Sequence, residues 1–259
     1  MTSRRKPAVT RAFDRAEDYD AHAHIQRATA KRLAALIAEL PSSPLPILEI
    51  GCGTGFLSAE LVRAFPASPL ILSDISPAMV RRARTAIGDA PNIRYLVLDG
   101  ERPEPRPGGG FGLICSSLAF QWFEDLGGAI ARLGGLVAPG GHLAFATLAA
   151  GTFAEWRQAH ARCGLEAATR DYPAVAEIAT LCPPDMRARI ERQILVERHA
   201  DGRAFLRGLK GIGAHTPWDK RPPLPPAALR RVLRAFDEQG SAATYEIAHV
   251  IMTKAPEGL

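Results

Sequence analysis

The residues best equipped for chemistry stand together in Ile47-Leu48-Glu49-Ile50-Gly51-Cys52-Gly53-Thr54-Gly55, a short apolar run that meets a glycine cluster. Glycines at a strand-to-helix turn let the backbone approach a ligand closely and permit positive φ. The spacing is GxGxG, and Phe56 stands where a dinucleotide-binding GxGxxG would have its last glycine. Glu49, just ahead of the loop, would repel a pyrophosphate seated there. An acid beside a glycine turn suits a ligand with a cationic amine and a nucleoside but no phosphate. Two further acids occupy matching places. Asp74 ends a second strand-like run, 23 residues after Gly51, where a carboxylate can take both ribose hydroxyls. Asp99 ends a third and can accept from an adenine amino group. Each acid alone reads as an ordinary strand-end or turn residue; three around one glycine turn form the informative combination.

Periodicity supplies the elements that must position these acids. Ile25, Leu33, Leu36, Ile37 and Leu40 predict a helix over Tyr19–Leu40, ended by Pro41. Strands are expected at 47–50, 70–73, 93–98, 111–116 and 142–148. The intervening helices are expected at 56–65, from the Ser76 cap through Ile87, and at 125–137, the last closed by Pro139-Gly140-Gly141. Residues 101–110 read as a Pro/Gly-rich loop. Beyond Gly151 the pattern turns helical, at 152–165, 174–181, 201–209 and 227–238, with strand candidates at 193–197 and 244–253. Alternating strand and helix signals predict one doubly wound α/β domain with a helical insertion after its fifth strand.

Composition narrows the classes. The chain has 259 residues, 47% hydrophobic and 23% charged, an ordinary soluble balance. Its 21 prolines and 23 glycines follow no period, which excludes collagen-like and low-complexity readings. No apolar run approaches the ~20 residues of a membrane helix. The basic stretch Met1–Thr10 lacks an apolar core, so no secretory signal is expected and a cytoplasmic setting is. Cys52, Cys115, Cys163 and Cys182 show no CxxC pairing; they read as reduced thiols, with no metal site expected. Of the 32 basic residues 27 are Arg, and Thr180–Arg234 holds 12 basic against 5 acidic residues. That local excess suits an acidic or phosphorylated partner, or else is a solvated arginine-rich surface.

Glu49–Gly55 resembles motif I (E/DxGxGxG) of the class I S-adenosylmethionine-dependent methyltransferase family, with the likeness running over roughly Pro46–Leu148 and Thr244–Thr253. Three more segments add to it. They are Phe13-Asp14-Arg15-Ala16 with Tyr19-Asp20 and His24-Ile25-Gln26-Arg27, Ser116–Trp122, and Leu206–Ala214 with its Lys-Gly-Ile-Gly-Ala run. Together they resemble the malonyl-acyl carrier protein O-methyltransferase (BioC) family of biotin synthesis. Ser117 departs from that pattern, which has Asn there.

The resemblance implies a Rossmann-like α/β fold, a seven-stranded, mostly parallel sheet with helices on both faces and a helical insertion or lid. Residues 1–259 would form a single methyltransferase domain. Within it, 13–40 is an N-terminal helical cap, 46–150 the cofactor-binding core, 151–240 the insertion with one strand, and 241–254 the last strand. It implies S-adenosylmethionine as cofactor, held by Tyr19, Gln26, Glu49, Gly51, Cys52, Gly53, Gly55, Asp74, Ile75, Met79, Asp99, Gly100, Ser116 and Leu118. Tyr19, Gln121, Trp122, Arg207, Lys210 and His215 are the catalytic candidates. The implied acceptor is the free carboxylate of a malonyl group on the phosphopantetheine arm of an acidic acyl carrier protein. A carboxylate titrating near ~4 is already ionised at neutral pH, so no general base is required, and the sequence offers no obvious Ser-His-Asp or Cys-His set. Other readings stay open here: methylation of another small molecule, a non-methylating protein-modifying relative, or a nicotinamide enzyme. Nucleic-acid methylation has only the basic balance in its favour.

Overall fold

The computed structural model describes residues 5–16, 18–41, 43–103, 110–214 and 222–256. Three helices come first, α1 (Arg5–Asp14), α2 (Tyr19–His22) and α3 (His24–Ala38). Then β1 (Ile47–Ile50), α4 (Phe56–Ala64), β2 (Leu70–Asp74), α5 (Pro77–Ile87) and β3 (Ile93–Val97) alternate. They are followed by β4 (Phe111–Ser117), a 3₁₀ turn at Phe120–Trp122, α6 (Leu126–Leu136) and β5 (Val137–Leu148). The remainder is α7 (Ala154–Arg162), α8 (Val175–Thr180), β6 (Met186–Arg198), α9 (Gly202–Gly211), α10 (Pro226–Asp237) and β7 (Ala242–Lys254). Local chemistry sets the boundaries. Ser76 caps α5 by accepting from the Met79 N–H, with Pro77 at the first helical position, and Asp125 caps α6 through the Gly128 N–H.

The seven strands form one sheet in the order β3-β2-β1-β4-β5-β7-β6. The pairs β1–β2, β1–β4, β2–β3 and β4–β5 are parallel. β7 runs against β5, since His142 meets Thr253 while Ala149 meets Glu246. Strand order reverses between β1 and β4, where Glu49 pairs with Cys115 in register. In doubly wound sheets the crevice outside the strand carboxyl ends at such a reversal is the ligand position. All four residues of β1 are buried, as expected of a strand covered on both faces.

Several sequence expectations need correction. The helix over Tyr19–Leu40 is two helices, broken at Ala23, and α1 was not foreseen in the basic N-terminal stretch. Pro139-Gly140-Gly141 does not close α6; it lies inside β5. The pairing advances from Phe111–Val137 to Leu113–His142, so those residues bulge out of the ladder, with Gly140 at φ 74°. β6 is far longer than 193–197: Met186, Ala188 and Ile190 alternate with Arg187, Arg189 and Glu191 as in a half-buried strand, but Arg192 falls on the apolar parity and breaks the pattern.

The chain divides into two compact units. One comprises Gln26–Thr147, Val175–Arg192 and Ala248–Leu259, with a core that includes Leu48, Ile114, Phe120, Phe145, Ile178 and Val250. The other comprises Met1–Ile25, Leu148–Ala174 and Gln193–Ile247. Its centre is aromatic: Phe205 stacks on Phe236 at 5.2 Å, and Trp156 and Phe153 contact Phe205 edgewise or tilted at 5.3 and 5.6 Å.

Candidate active site

The glycine turn after β1 is held from below by its neighbours. The Cys52 N–H donates to the Ser73 carbonyl at 2.8 Å, and the Ser73 hydroxyl donates to the Glu49 carbonyl at 2.6 Å. Gly51, Gly53 and Gly55 all have positive φ, at 71°, 54° and 100°. Asp74, at the end of β2, is the keystone. Its Oδ2 accepts from the Gly53 N–H at 3.0 Å and its Oδ1 from the Ser76 N–H at 2.8 Å. One carboxylate thus fixes both the glycine turn and the entry to α5, where Met79 is buried and Ile75 half-buried.

Glu49 is 1% exposed, and its Oε2 accepts from the Ser58 hydroxyl at 2.5 Å. Burial pushes its carboxyl up to about 8; the Ser58 bond opposes this and the Asp74 charge adds to it. The Cys52 and Cys115 thiols, also buried, are pushed well up and are poor nucleophiles.

At the third acid, Asp99 accepts from the Glu101 N–H at 3.1 Å. Glu101 itself, 3% exposed, was not foreseen. Its Oε1 accepts from the Glu124 and Asp125 N–H groups at 3.1 and 2.7 Å, and Arg132 donates to its carbonyl at 2.9 Å. Glu101 therefore ties the Asp99–Gly100 loop to the segment after the 3₁₀ turn. An acid inside a Pro/Gly-rich stretch gives no sequence signal of such burial.

On the other side of the reversal, Ser116 is fully buried near the end of β4, its hydroxyl without a hydrogen-bond partner among the described residues. Leu118 follows at φ 54°, a left-handed conformation a branched side chain rarely adopts. It is pinned by its own N–H to the Ala146 carbonyl at 2.9 Å, and by the Gln121 Nε2 to its carbonyl at 2.5 Å. Phe120 packs on Phe123 and Phe145 at 4.6 and 4.5 Å, which seats the turn bearing Gln121 and half-buried Trp122.

The first unit therefore gathers Glu49, the glycine turn with Cys52, Asp74, Ile75, Met79, Asp99, Gly100, Ser116, Leu118, Gln121 and Trp122, with Gln26 at the start of its chain. Tyr19, Arg207 and Lys210 belong to the second unit, and His215 lies outside the described residues. In that second unit α2 and α9 pack together: a Cβ on Gly211 would lie 2.3 Å from the His22 ring, and on Gly213 3.1 Å from the Ala12 carbonyl oxygen. The two chain-end segments singled out in the sequence are thus neighbours. Arg207 and Lys210 are exposed on α9, and Tyr19 is half-buried.

A family model described as "Methyltransferase domain" matches residues 47–141. The bifunctional biotin biosynthesis protein BioCD of Bordetella avium is 50% identical over 93% of this chain, which spans about half (51%) of that protein's length. The malonyl-[acyl-carrier protein] O-methyltransferase of Magnetococcus marinus is 38% identical over 97% of this chain and 94% of its own. The chain belongs to the malonyl-[acyl-carrier protein] O-methyltransferase family. The fold is also that of YcgJ from Bacillus subtilis (TM-score 0.59, 15% identity, 88% of this chain and all of that one). The plantazolicin methyltransferase BpumL with S-adenosylhomocysteine (TM-score 0.58, 13% identity, 96% and 95%) shares it.

As a member of this family the protein is an S-adenosylmethionine-dependent methyltransferase, and its residues fit that cofactor. A Cβ on Gly53 would meet nothing within 4 Å, so the turn opens onto free space, and an unpartnered buried hydroxyl sits at Ser116. Glu49, Asp74 and Asp99 lie at the carboxyl ends of three neighbouring strands, an acceptor set for hydroxyls and amines, while Arg27 stacks on the Phe56 ring just after the turn at 4.3 Å. No group of three or more metal-ligating side chains exists among the described residues.

A Glu49 that takes the cofactor's ammonium, the role the family resemblance implies, would make binding pH-dependent. Its folded pKa is raised, so its contribution to ligand-free stability is full below the ordinary carboxylate range and is lost as pH rises toward about 8. A cationic amine placed against Glu49 would favour its ionised form, so binding below that pH would expel a proton. Affinity for S-adenosylhomocysteine is therefore expected to rise with pH between about 6 and 8. Calorimetric titration checks this; Glu49→Gln should bind more weakly and flatten the dependence. A slope undiminished in Glu49→Gln would assign the proton elsewhere.

Proposed function

We propose that this enzyme methylates the free carboxylate of a malonyl group on acyl carrier protein, giving the malonyl methyl ester that primes pimelate synthesis for biotin. The observation that carries the reading is the acid-rimmed, phosphate-averse glycine turn with Asp74 locked to Gly53 and Ser76. Support for the acceptor comes from the names of full-length relatives such as that of Magnetococcus marinus. S-adenosylmethionine supplies a sulfonium-bound methyl group, an electrophile that needs no further activation.

The chain's own residues then have limited but exact tasks. Asp74 holds the ribose hydroxyls, Asp99 the adenine amine and Glu49 the ammonium, while Gly51, Gly53 and Gly55 let the backbone come close. Gln26, Cys52, Ile75, Met79, Gly100, Ser116 and Leu118 complete the cofactor contacts. Tyr19, Gln121 and Trp122 orient the acceptor and exclude water. Arg207, Lys210 and His215 are the cationic candidates for the substrate carboxylate, and the cation engages the oxygen that does not attack, because pairing the attacking oxygen would lower its nucleophilicity. The four cysteines are free, which supports a reducing, cytoplasmic setting.

Two properties of the product reaction test this reading. The methyl group should be released by mild alkali, as an ester is. At saturating cofactor the rate should be flat with pH from about 6 to 8, because the nucleophile ionises near ~4. An alkali-stable product, or a rate falling tenfold per pH unit below neutrality, would contradict it by requiring a different acceptor or a general base.

A further inference from the structure

The basic stretch Thr180–Arg234 divides in the structure into two kinds of surface. Its strand part, β6, mixes Arg187, Arg189, Arg192 and Arg198 with Glu191 and Glu197, and Arg189 is paired with Glu39 at 3.1 Å. Its helical part is different. On α9, Arg203, Arg207 and Lys210 follow a spacing of four and three, one face of a helix, and all three are exposed. The opposite face of α9 buries Gly202 and Phe205. On α10, Arg230, Arg231 and Arg234 are exposed while Val232, Leu233, Ala235 and Phe236 are buried.

The two helices share one core. Phe205 stacks on Phe236, and Gly202 lies so close to Leu233 that a Cβ would come within 2.8 Å of its side chain. Both basic faces point away from that shared core. The one acid within these helices, Asp237, is exposed, but its Oδ1 already accepts from the Gly202 N–H at 2.6 Å and the Ser241 hydroxyl at 2.9 Å. None of the six cations makes an ion pair among the described residues. Six like charges within one unit, without ion pairs among the described residues, repel one another, and an anionic surface would relieve that repulsion.

We propose that the outer faces of α9 and α10 form the docking surface for the acyl carrier protein, with Arg203, Arg230, Arg231 and Arg234 engaging its acidic surface. Arg207 and Lys210 continue the row toward the phosphodiester and carboxylate of the substrate arm. The proposal rests on the reading that malonyl-acyl carrier protein is the substrate, and it adds where the carrier binds. Exposed charges of this kind act on encounter rate and orientation, so they affect the carrier-borne substrate and not the reacting group.

The test compares R203E/R230E/R234E with wild type and with a charge-matched control, K31E/R81E/R94E, whose changes lie on exposed positions of the other unit. Each full-length enzyme is assayed with malonyl-acyl carrier protein and with S-malonyl pantetheine, which has the thioester but no carrier. The docking variant should lose at least about tenfold in kcat/KM for malonyl-acyl carrier protein, by the magnitude expected of steering charges. It should stay within about twofold on S-malonyl pantetheine and keep its Tm. Loss on both substrates, loss in the control to the same degree, or no loss at all would each overturn the proposal. Wild-type enzyme inert on both substrates would instead overturn the substrate reading beneath it.

Discussion

Replacing Asp74 by alanine is expected to lower affinity for S-adenosylhomocysteine by roughly 100- to 1,000-fold. The proposed site has two ribose hydroxyls share this carboxylate; with hydrogen bonds to a charged group at about 1.5–3 kcal/mol each, a loss at the low end, about 3–4 kcal/mol, corresponds to that fold-change. The same change also removes the acceptor for the Gly53 and Ser76 N–H groups, so the turn itself loosens. Asparagine should not rescue the site. Both carboxylate oxygens already accept from backbone donors, and an amide would set an NH₂ against one of those N–H groups. Calorimetric titration of S-adenosylhomocysteine against wild type, Asp74→Ala and Asp74→Asn reads the effect. Affinity within a few-fold of wild type in Asp74→Ala would remove Asp74 from the cofactor site.

The glycine turn yields the second large effect, through a contrast between two neighbours. At Gly51 a Cβ would lie 2.4 Å from the Ala119 Cβ, and φ is 71°. Gly51→Ala must therefore strain the backbone and push β1's turn off the segment after β4, and a loss of stability of about 2–4 kcal/mol is expected. At Gly53 the space is open, so Gly53→Ala bears only the left-handed strain of about 1 kcal/mol, and its methyl enters the space assigned to the ligand. Gly51→Ala should thus show a large fall in Tm. Gly53→Ala should show a small fall in Tm with at least a tenfold loss of cofactor affinity, the cost of about 1.4 kcal/mol of blocked contact. Equal effects of the two on Tm and on affinity would mean that the open side of Gly53 is not where the cofactor lies.

The strand positions of the three acids were legible because each lies in or directly after an apolar run, and a run of that kind is visible without any tertiary information. Ser76 and Pro77 announced α5 in the same way, through chemistry confined to a few adjacent residues. What stayed hidden depends on pairing across the chain. The bulge at Pro139–Gly141 looks like a helix stop until β4 is laid beside it. Glu101 resembles any loop acid until the Glu124 and Asp125 amides close on it. In β6 the alternation of Met186, Ala188 and Ile190 with charged residues is broken by Arg192, and its place beside β7 joins the two halves into one strand. The division of basic residues between a paired strand and two unpaired helical faces is likewise invisible in a charge count.

The central claim is that the acceptor is the malonyl carboxylate itself. Methyl-labelled S-adenosylmethionine offered with malonyl-acyl carrier protein and, separately, with acetyl-acyl carrier protein tests it most directly. The two substrates share the carrier, the arm and the thioester and differ by one carboxylate. Label transferred to the malonyl form alone is the predicted result. Equal labelling of both forms, or of neither while S-adenosylhomocysteine still binds, would contradict the account and direct the search to a different acceptor.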